Sequence, residues 1–583
     1  MTALILRRAL ADYVRRPFNV ALLVAFPVVM VVALGGQLAS FSKLLSTGAK
    51  PAHLEVATAA WAAAAVTGLA GFFQVVGARA TDRRLAAAST YGARPVIAGR
   101  LLAAGCLALV ASAAALAALA VRSGIADPAR AVPTIVAVAV IYIAVGVLVG
   151  TFVRSEMNGA LVVSIIWMLD VFVGSGLGGG SSSVLTRFFP LHFPTMILTD
   201  QAAQHGGPIG DAGWTAVWAV GLAGVAVWRL VATTRPARLH DLDSSSATAR
   251  PTLVTAREVS VSSLVTAERA VLRPHDVPPA QASPGAAARR PAMPVSHAAS
   301  ALLATAREYR RNRVLWVLLV AVPVMFIALA AAQTPTIPIP VSLVDGTRRF
   351  TEMFSMRQIH AGEMASIASA LLAGVAGLFV VTGSAAGDRR LVLAGFRPRQ
   401  VLAGHLGVIA GAAVLTTAVS LAVSALFFSP RSWVEYAGAD LLIALTYAMV
   451  GVLLGPITGR LGGLYVILLA AAVDVGFGQT VMYHPVPPTW GVFLPGHGAG
   501  RLLVDGSFTS GFEQYGHLLV ALGWLAGLTA AAALTFRHQI GSKPITRVSR
   551  LTPSSGESAG GEGTPAPASM PSHSDLHLVR GRR

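Results

Sequence analysis

The chain has 583 residues, 54% hydrophobic and only 12% charged, about half the charge of a soluble protein of this size. Its net charge of +19 comes from 45 Lys and Arg against 26 Asp and Glu. The basic residues stand between long apolar runs, so they report membrane topology rather than nucleic-acid binding. A single cysteine, Cys106, excludes intrachain disulfides and cysteine-rich metal sites.

Residues 1–18 read as a basic amphipathic segment, with Leu4, Leu6, Leu10 and Val14 set against Arg7, Arg8, Arg15 and Arg16, suited to lying along a membrane surface. The apolar stretch after it looks like a signal peptide. However, Tyr13 and the run ending at Pro27 recur internally at Tyr309 and Pro323, so a retained helix is expected. Apolar runs follow at roughly 19–38, 57–77, 99–121, 133–153, 159–177 and 214–233, then at 314–333, 364–383, 401–428, 436–457, 462–480 and 517–536. Most exceed the ~18 residues needed to cross a bilayer core as a helix, and they are continuous rather than alternating. The expected fold is therefore an all-α polytopic membrane protein, with six helices followed by six, short outer loops and no spanning strands.

Two stretches show why six and six. Gly68, Ala70, Gly71, Phe73, Val75, Gly77, Ala80, Asp82, Arg83, Arg84 and Leu85 recur without a gap in the stretch from Gly374 to Leu391, which ends in Asp388, Arg389, Arg390 and Leu391. Tyr142, Gly146 and Gly150 likewise match Tyr447, Gly451 and Gly455. Between the fifth and sixth runs of each copy lie semi-polar segments, Pro190 with His192 and Pro495 with His497, too short to span and broken by Pro and Gly. Re-entrant or interfacial helices on the outer side are expected there, their backbone buried in protein.

The expected organisation is a first six-helix half over 1–234, a disordered linker over 235–300, a second half over 301–540 and a disordered tail over 541–583. Arg79, Arg83, Arg84, Arg94, Arg100, Arg154, Arg389, Arg390, Arg397, Arg399, Arg460 and Arg537 fall in alternate loops with the linker. The excess of arginine there places those loops and both termini in the cytoplasm of a bacterial-type cell membrane. Two even-numbered bundles joined on one side are parallel repeats.

Two sets of residues invite a functional reading. Asp82-Arg83-Arg84 and Asp388-Arg389-Arg390 supply positive-inside charge, and their repeated acid-first order suggests a short helix laid across the cytoplasmic end of each bundle. Asp170 and Asp474 lie inside apolar runs, where a carboxylate is costly. They either hydrogen-bond the re-entrant segments or take part in a proton relay or cation contact. His192 and His497 read as structural or gate-lining, since no carboxylate or cysteine completes a metal site.

With its basic amphipathic start, its acidic-Arg loop between the second and third helices and its outer re-entrant segments between the fifth and sixth, the chain resembles the ABC-2 type permeases over both copies. The resemblance implies that Asp82, Arg83, Arg84, Asp388, Arg389 and Arg390 form coupling helices that dock a separate ATPase, expected to be a homodimer. It implies further that one chain supplies both halves, as in twelve-helix relatives linked to drug and antibiotic export. The chain carries no phosphate-binding Gly-x-x-x-x-Gly-Lys loop and no nucleophilic triad, so no enzyme activity, cofactor or metal of its own is expected. The partners expected are the ATPase, membrane lipid and a small-molecule substrate. The alternative is a major-facilitator-like secondary transporter, which also has six plus six helices and an Asp-Arg-rich loop. A lipid- or sugar-modifying membrane enzyme would need a catalytic cluster at a membrane face, and the sequence offers none.

Overall fold

A computed structural model describes residues 1–15, 17–45, 51–88, 93–174, 184–199, 207–234, 313–345, 348–393, 396–482 and 488–541, with isolated positions between 302 and 310. The linker expected at 235–300 and nearly all of the tail from 541 lie outside the described residues.

The described chain is almost entirely helical. Its helices are α1 (Thr2–Val14), α2 (Pro17–Leu45), α3 (Pro51–Val76), α4 (Arg79–Ala88), α5 (Arg94–Arg122), α6 (Pro128–Phe152), α7 (Glu156–Leu169), α8 (His192–Thr199), α9 (Gly207–Thr234), α10 (Arg313–Gln333), α11 (Met356–Leu393), α12 (Pro398–Ser424), α13 (Trp433–Ala471), α14 (His497–Phe508) and α15 (Tyr515–Gly541). Proline opens α2, α3, α6 and α12, where its missing N–H costs nothing. Among the described residues, nine helices are long and apolar enough to cross a membrane. Three further apolar helices are shorter, Asn158–Gly174, Trp316–Ala332 and Gly462–Gly478. The described residues thus hold nine long spans and three shorter apolar helices where twelve spans were expected. The protein is an all-α polytopic membrane protein in this sense.

The spans of α3 and α11 are each 94% buried, whereas those of α9 and α15 are 17% and 11% buried. The first pair are core helices and the second pair form the periphery. α3 packs on α6, and α11 on α13, through glycine. A Cβ at Gly146 would overlap the Gly68 carbonyl oxygen, and one at Gly451 would overlap that of Gly374. In lipid no hydrophobic force favours one helix pair over another, so close backbone approach through small residues holds such a crossing. This is the physical reason for the repeated Gly68/Gly374 and Gly146/Gly451 pattern.

The two halves of the chain meet through aromatic contacts. Phe26 of α2 meets Tyr465 of α13 edge-on at 5.6 Å, and Phe326 of α10 meets Phe172 at 5.8 Å. The Tyr465 hydroxyl donates to the Val66 carbonyl at 3.0 Å. α13 is interrupted at Gly459, whose φ of +70° breaks the helical path and which tolerates that conformation because it lacks a Cβ.

Two expectations are corrected. A strand hairpin, β1 (Pro338–Asp345) on β2 (Arg348–Ser355), joins α10 to α11 where only a short loop was expected. Ile339, Val341 and Leu343 are buried while Pro338 and Pro340 are exposed, the period of two that a half-buried strand requires. The Asp388-Arg389-Arg390 motif does not form a separate short helix. It continues α11, where the Ser384 hydroxyl bonds back to Val380 and also to Asp388. In α1, Ile5 and Ala9 face the protein, while Leu4 and Val14 remain exposed.

Candidate functional site

One end of the bundle gathers the two acidic-Arg motifs. Gly462, just past the break in α13, lies against Phe18 at the start of α2, and Arg460 donates to the Thr382 carbonyl at 3.1 Å. Arg460 also approaches Glu156, at the start of α7, at 4.0 Å. Val75 at the end of α3 lies against Gly150 near the end of α6, a few residues before Glu156, so the end of α3, the start of α7 and the end of α11 share one end of the molecule.

At this end the acids turn inward. Asp82 is 7% exposed and accepts from Arg100, with Nη2 to Oδ1 at 3.1 Å and Nε to Oδ2 at 3.2 Å. Burial pushes the Asp82 carboxyl above its usual range, against the opposing pull of Arg100. Arg79 of α4 bonds the Gly150 carbonyl and so ties α4 to α6. In the second half Asp388 is 5% exposed, with His405 Nε2 at 2.9 Å and the Ser384 hydroxyl at 3.0 Å. Arg84 and Arg390 are exposed, while Arg83 and Arg389 sit on the same helices, α4 and α11. Each motif thus presents a cationic surface on a helix whose acid is anchored to the following helix. The anchors, Arg100 and His405, lie too far along the chain from their acids for local spacing to reveal them.

Towards the opposite end, Asp170 opens a π-helical turn, Asp170–Gly174, and Asp474 lies within another, Ala472–Gly478. Asp170 accepts from the Tyr142 hydroxyl at 2.7 Å and from the Leu191 N–H at 3.0 Å. Asp474 accepts from the Tyr447 hydroxyl at 2.8 Å, the Gly496 N–H at 2.6 Å and the Gln479 side-chain amide at 3.1 Å. Both carboxyls therefore hold the entry to a short helix, α8 or α14, by backbone groups that an unpaired helix start leaves free.

Pro190 and Pro495 are half-buried in the turns just before these helices. His192 Nδ1 meets the Gly174 backbone carbonyl at 3.1 Å, and His497 Nδ1 meets the Gln479 side-chain Oε1 at 3.0 Å. Burial first, then His517 and Arg501, push the His497 imidazole down to about 4, so it is neutral at physiological pH. Among the described residues, no group of three or more His, Cys, Asp and Glu is placed to hold a metal ion.

Among the buried acids that the sequence reading misses are Glu363 and Asp440. Glu363 of α11 accepts from the Val481 N–H at 2.8 Å and from the Thr480 hydroxyl. Asp440 of α13 accepts from Ser369 of α11 at 2.9 Å and is fully buried. Both stand in or beside an apolar run, and the rule that singled out Asp170 applies to them equally. They have no counterpart in the first copy, and a search for repeats passes over them.

A cavity of about 530 Å³ lies where the halves meet, lined by Val28, Val29, Val32, Ala33, Gly36, Arg122, Val473 and Trp490. Its wall is apolar apart from Arg122 and the Trp490 indole. No family model matches the chain, and no curated protein matches it.

Proposed function

We propose that the chain is the permease of an ATP-driven exporter of the ABC-2 kind, moving a small lipophilic substrate with the help of a separate ATPase. In this reading it is two parallel six-helix bundles in one chain, the three short apolar helices completing the count. It lies in a bacterial-type cell membrane with both termini and the Arg-rich end in the cytoplasm, and the ATPase is a homodimer gripping the two motifs.

One observation carries the reading. Both acidic-Arg motifs lie at the same end of the molecule, each with its acid anchored to the next helix and its second arginine exposed. An element built to transmit force needs a stiff link to the bundle and a free charged face for a partner. Asp82–Arg100 and Asp388–His405 supply the link, and Arg84 and Arg390 the face. ATP binding would draw the two motifs together and rock the halves about the contacts of Phe26 with Tyr465 and Phe326 with Phe172. The test is ATP-dependent transport in proteoliposomes by the chain together with its ATPase, set against the chain alone.

The second reading, a secondary transporter driven by an ion gradient, is favoured by the buried carboxyls of Glu363 and Asp440. It expects transport by the purified chain alone.

A further inference from the structure

Asp440 stands two turns into α13 with 0% of its surface exposed. Its Oδ2 accepts from the Ser369 hydroxyl at 2.9 Å, while Oδ1 makes no hydrogen bond. The Thr417 hydroxyl of α12 faces the same carboxyl without forming a hydrogen bond of normal geometry. Ser420 lies three residues further on the same face of α12, is fully buried, and its hydroxyl is also unpartnered. Asp440 Oδ1 and the Thr417 and Ser420 hydroxyls, three buried oxygens on two neighbouring helices, thus have no hydrogen-bond partner. Their neighbours show that this is not the default. Thr416 satisfies its hydroxyl on the Ala412 carbonyl four residues back, as helical threonines do.

The side chains acting on Asp440 are the hydroxyls of Ser369 and Thr417, with no basic group among them. Tyr436, one turn earlier on α13, spends its hydroxyl on the Gly362 carbonyl at 2.7 Å. A buried carboxylate without a counter-charge costs several kcal/mol. A proton on Asp440 would remove the charge and satisfy one neighbouring oxygen, leaving another open. A small cation would neutralise the charge and take the open Asp440 oxygen and the facing Thr417 hydroxyl as ligands, with the Ser420 hydroxyl one helical turn away. Carboxylate and hydroxyl oxygens are hard donors, and a single carboxylate matches a single positive charge.

The first copy lacks the arrangement. In the register of the Gly68/Gly374 and Tyr142/Tyr447 matches, Ala63 and Ile135 stand where Ser369 and Asp440 stand, both fully buried. The ordinary way to pack this crossing is thus apolar, and the second copy departs from it at Ser369 and Asp440 together.

We propose that Asp440, Ser369, Thr417 and Ser420 form a binding site for one dehydrated sodium ion between α11, α12 and α13. The site does not rest on the transport reading. A permease can hold the ion as a fixed counter-charge, and a secondary transporter can move it.

The experiment is thermal unfolding of the purified full chain in detergent at constant ionic strength and pH, with choline replaced stepwise by sodium or by potassium. The expected result is a saturating rise of the midpoint with sodium that potassium does not reproduce. Ser420→Ala and Thr417→Val keep the helix surface and should shift the half-saturating sodium concentration upward at least several-fold. Asp440→Asn should abolish the response. Binding of radiolabelled sodium, displaced by unlabelled sodium, gives the same comparison without depending on unfolding. A midpoint indifferent to sodium, an equal response to potassium, or an unchanged sodium response in Ser420→Ala and Thr417→Val would overturn the proposal.

Discussion

The Tyr142 hydroxyl meets Asp170 Oδ2 at 2.7 Å, deep in the protein where neither side chain reaches solvent. Tyr447 and Asp474 repeat the bond at 2.8 Å. Each pair joins the long helix that carries the tyrosine to the start of a short one, α8 or α14. Removing the tyrosine hydroxyl leaves a buried acceptor with one donor fewer, a loss of about 1–3 kcal/mol. Tyr142→Phe and Tyr447→Phe should therefore each lower the unfolding midpoint of the detergent-purified chain. Asp170→Asn and Asp474→Asn should leave transport in place, because an amide oxygen still accepts the backbone N–H. Loss of transport at normal membrane levels would show that these carboxyls carry charge for the mechanism.

His497 makes stability depend on pH. Its imidazole is held down to about 4 against an ordinary value of 6.5, mainly by burial. In the acid window between those values the unfolded chain binds the proton and the folded chain does not. The contribution is therefore fully present above about 6.5 and is lost as pH falls toward about 4. His497→Gln, which cannot take the proton, should lose less stability than the parent chain across that window. Parallel midpoint curves for the two proteins would contradict this.

The glycine crossings are the least tolerant places in the core. Gly146→Val would drive a side chain into the Gly68 carbonyl, and Gly451→Val into that of Gly374. Overpacking of this kind costs about 1–3 kcal/mol or more, and backbone rather than a flexible side chain would have to move. Both variants should show a reduced monodisperse peak in size-exclusion chromatography. Gly105→Val, at a position with open space around it, should not.

The helices were legible because their apolar runs are long, and Asp170 and Asp474 because a carboxylate in such a run stands out. What joins the elements was not legible. Arg100 reaches Asp82, and Tyr465 reaches Val66, across distances in sequence that carry no periodic signal. The β1–β2 hairpin has its own signal, the alternation of Ile339, Val341 and Leu343 ending at Asp345, which pairs with Arg348. Asp440 has no partner in the repeat to mark it, since the first copy has Ile135 in its place.

The proposed sidedness rests on the arginine bias. Single cysteines introduced at Ser89 and Ser244 of a Cys106→Ser background should react with a membrane-impermeant maleimide only after the cells are opened. Labelling of either position in intact cells would contradict a cytoplasmic Arg-rich end.

The central claim is that the Arg-rich end works on a partner. Reversing Arg83 and Arg84 to Glu, or Arg389 and Arg390 to Glu, changes the surface beside the anchored acids while leaving Asp82–Arg100 and Asp388–His405 in place. A charge pair broken at a buried interface costs about 2–5 kcal/mol, enough to release a partner during purification. The most direct measurement is affinity purification of the chain from its own membranes, with mass-spectrometric identification of a subunit carrying the nucleotide-binding Gly-x-x-x-x-Gly-Lys loop, alongside ATP-dependent transport in proteoliposomes. The account predicts that this ATPase co-purifies with the parent chain, that either double reversal loses it, and that either alone stops transport, since both halves must close together. Transport by the purified chain alone down an ion gradient, altered only in rate by the reversals, would contradict it.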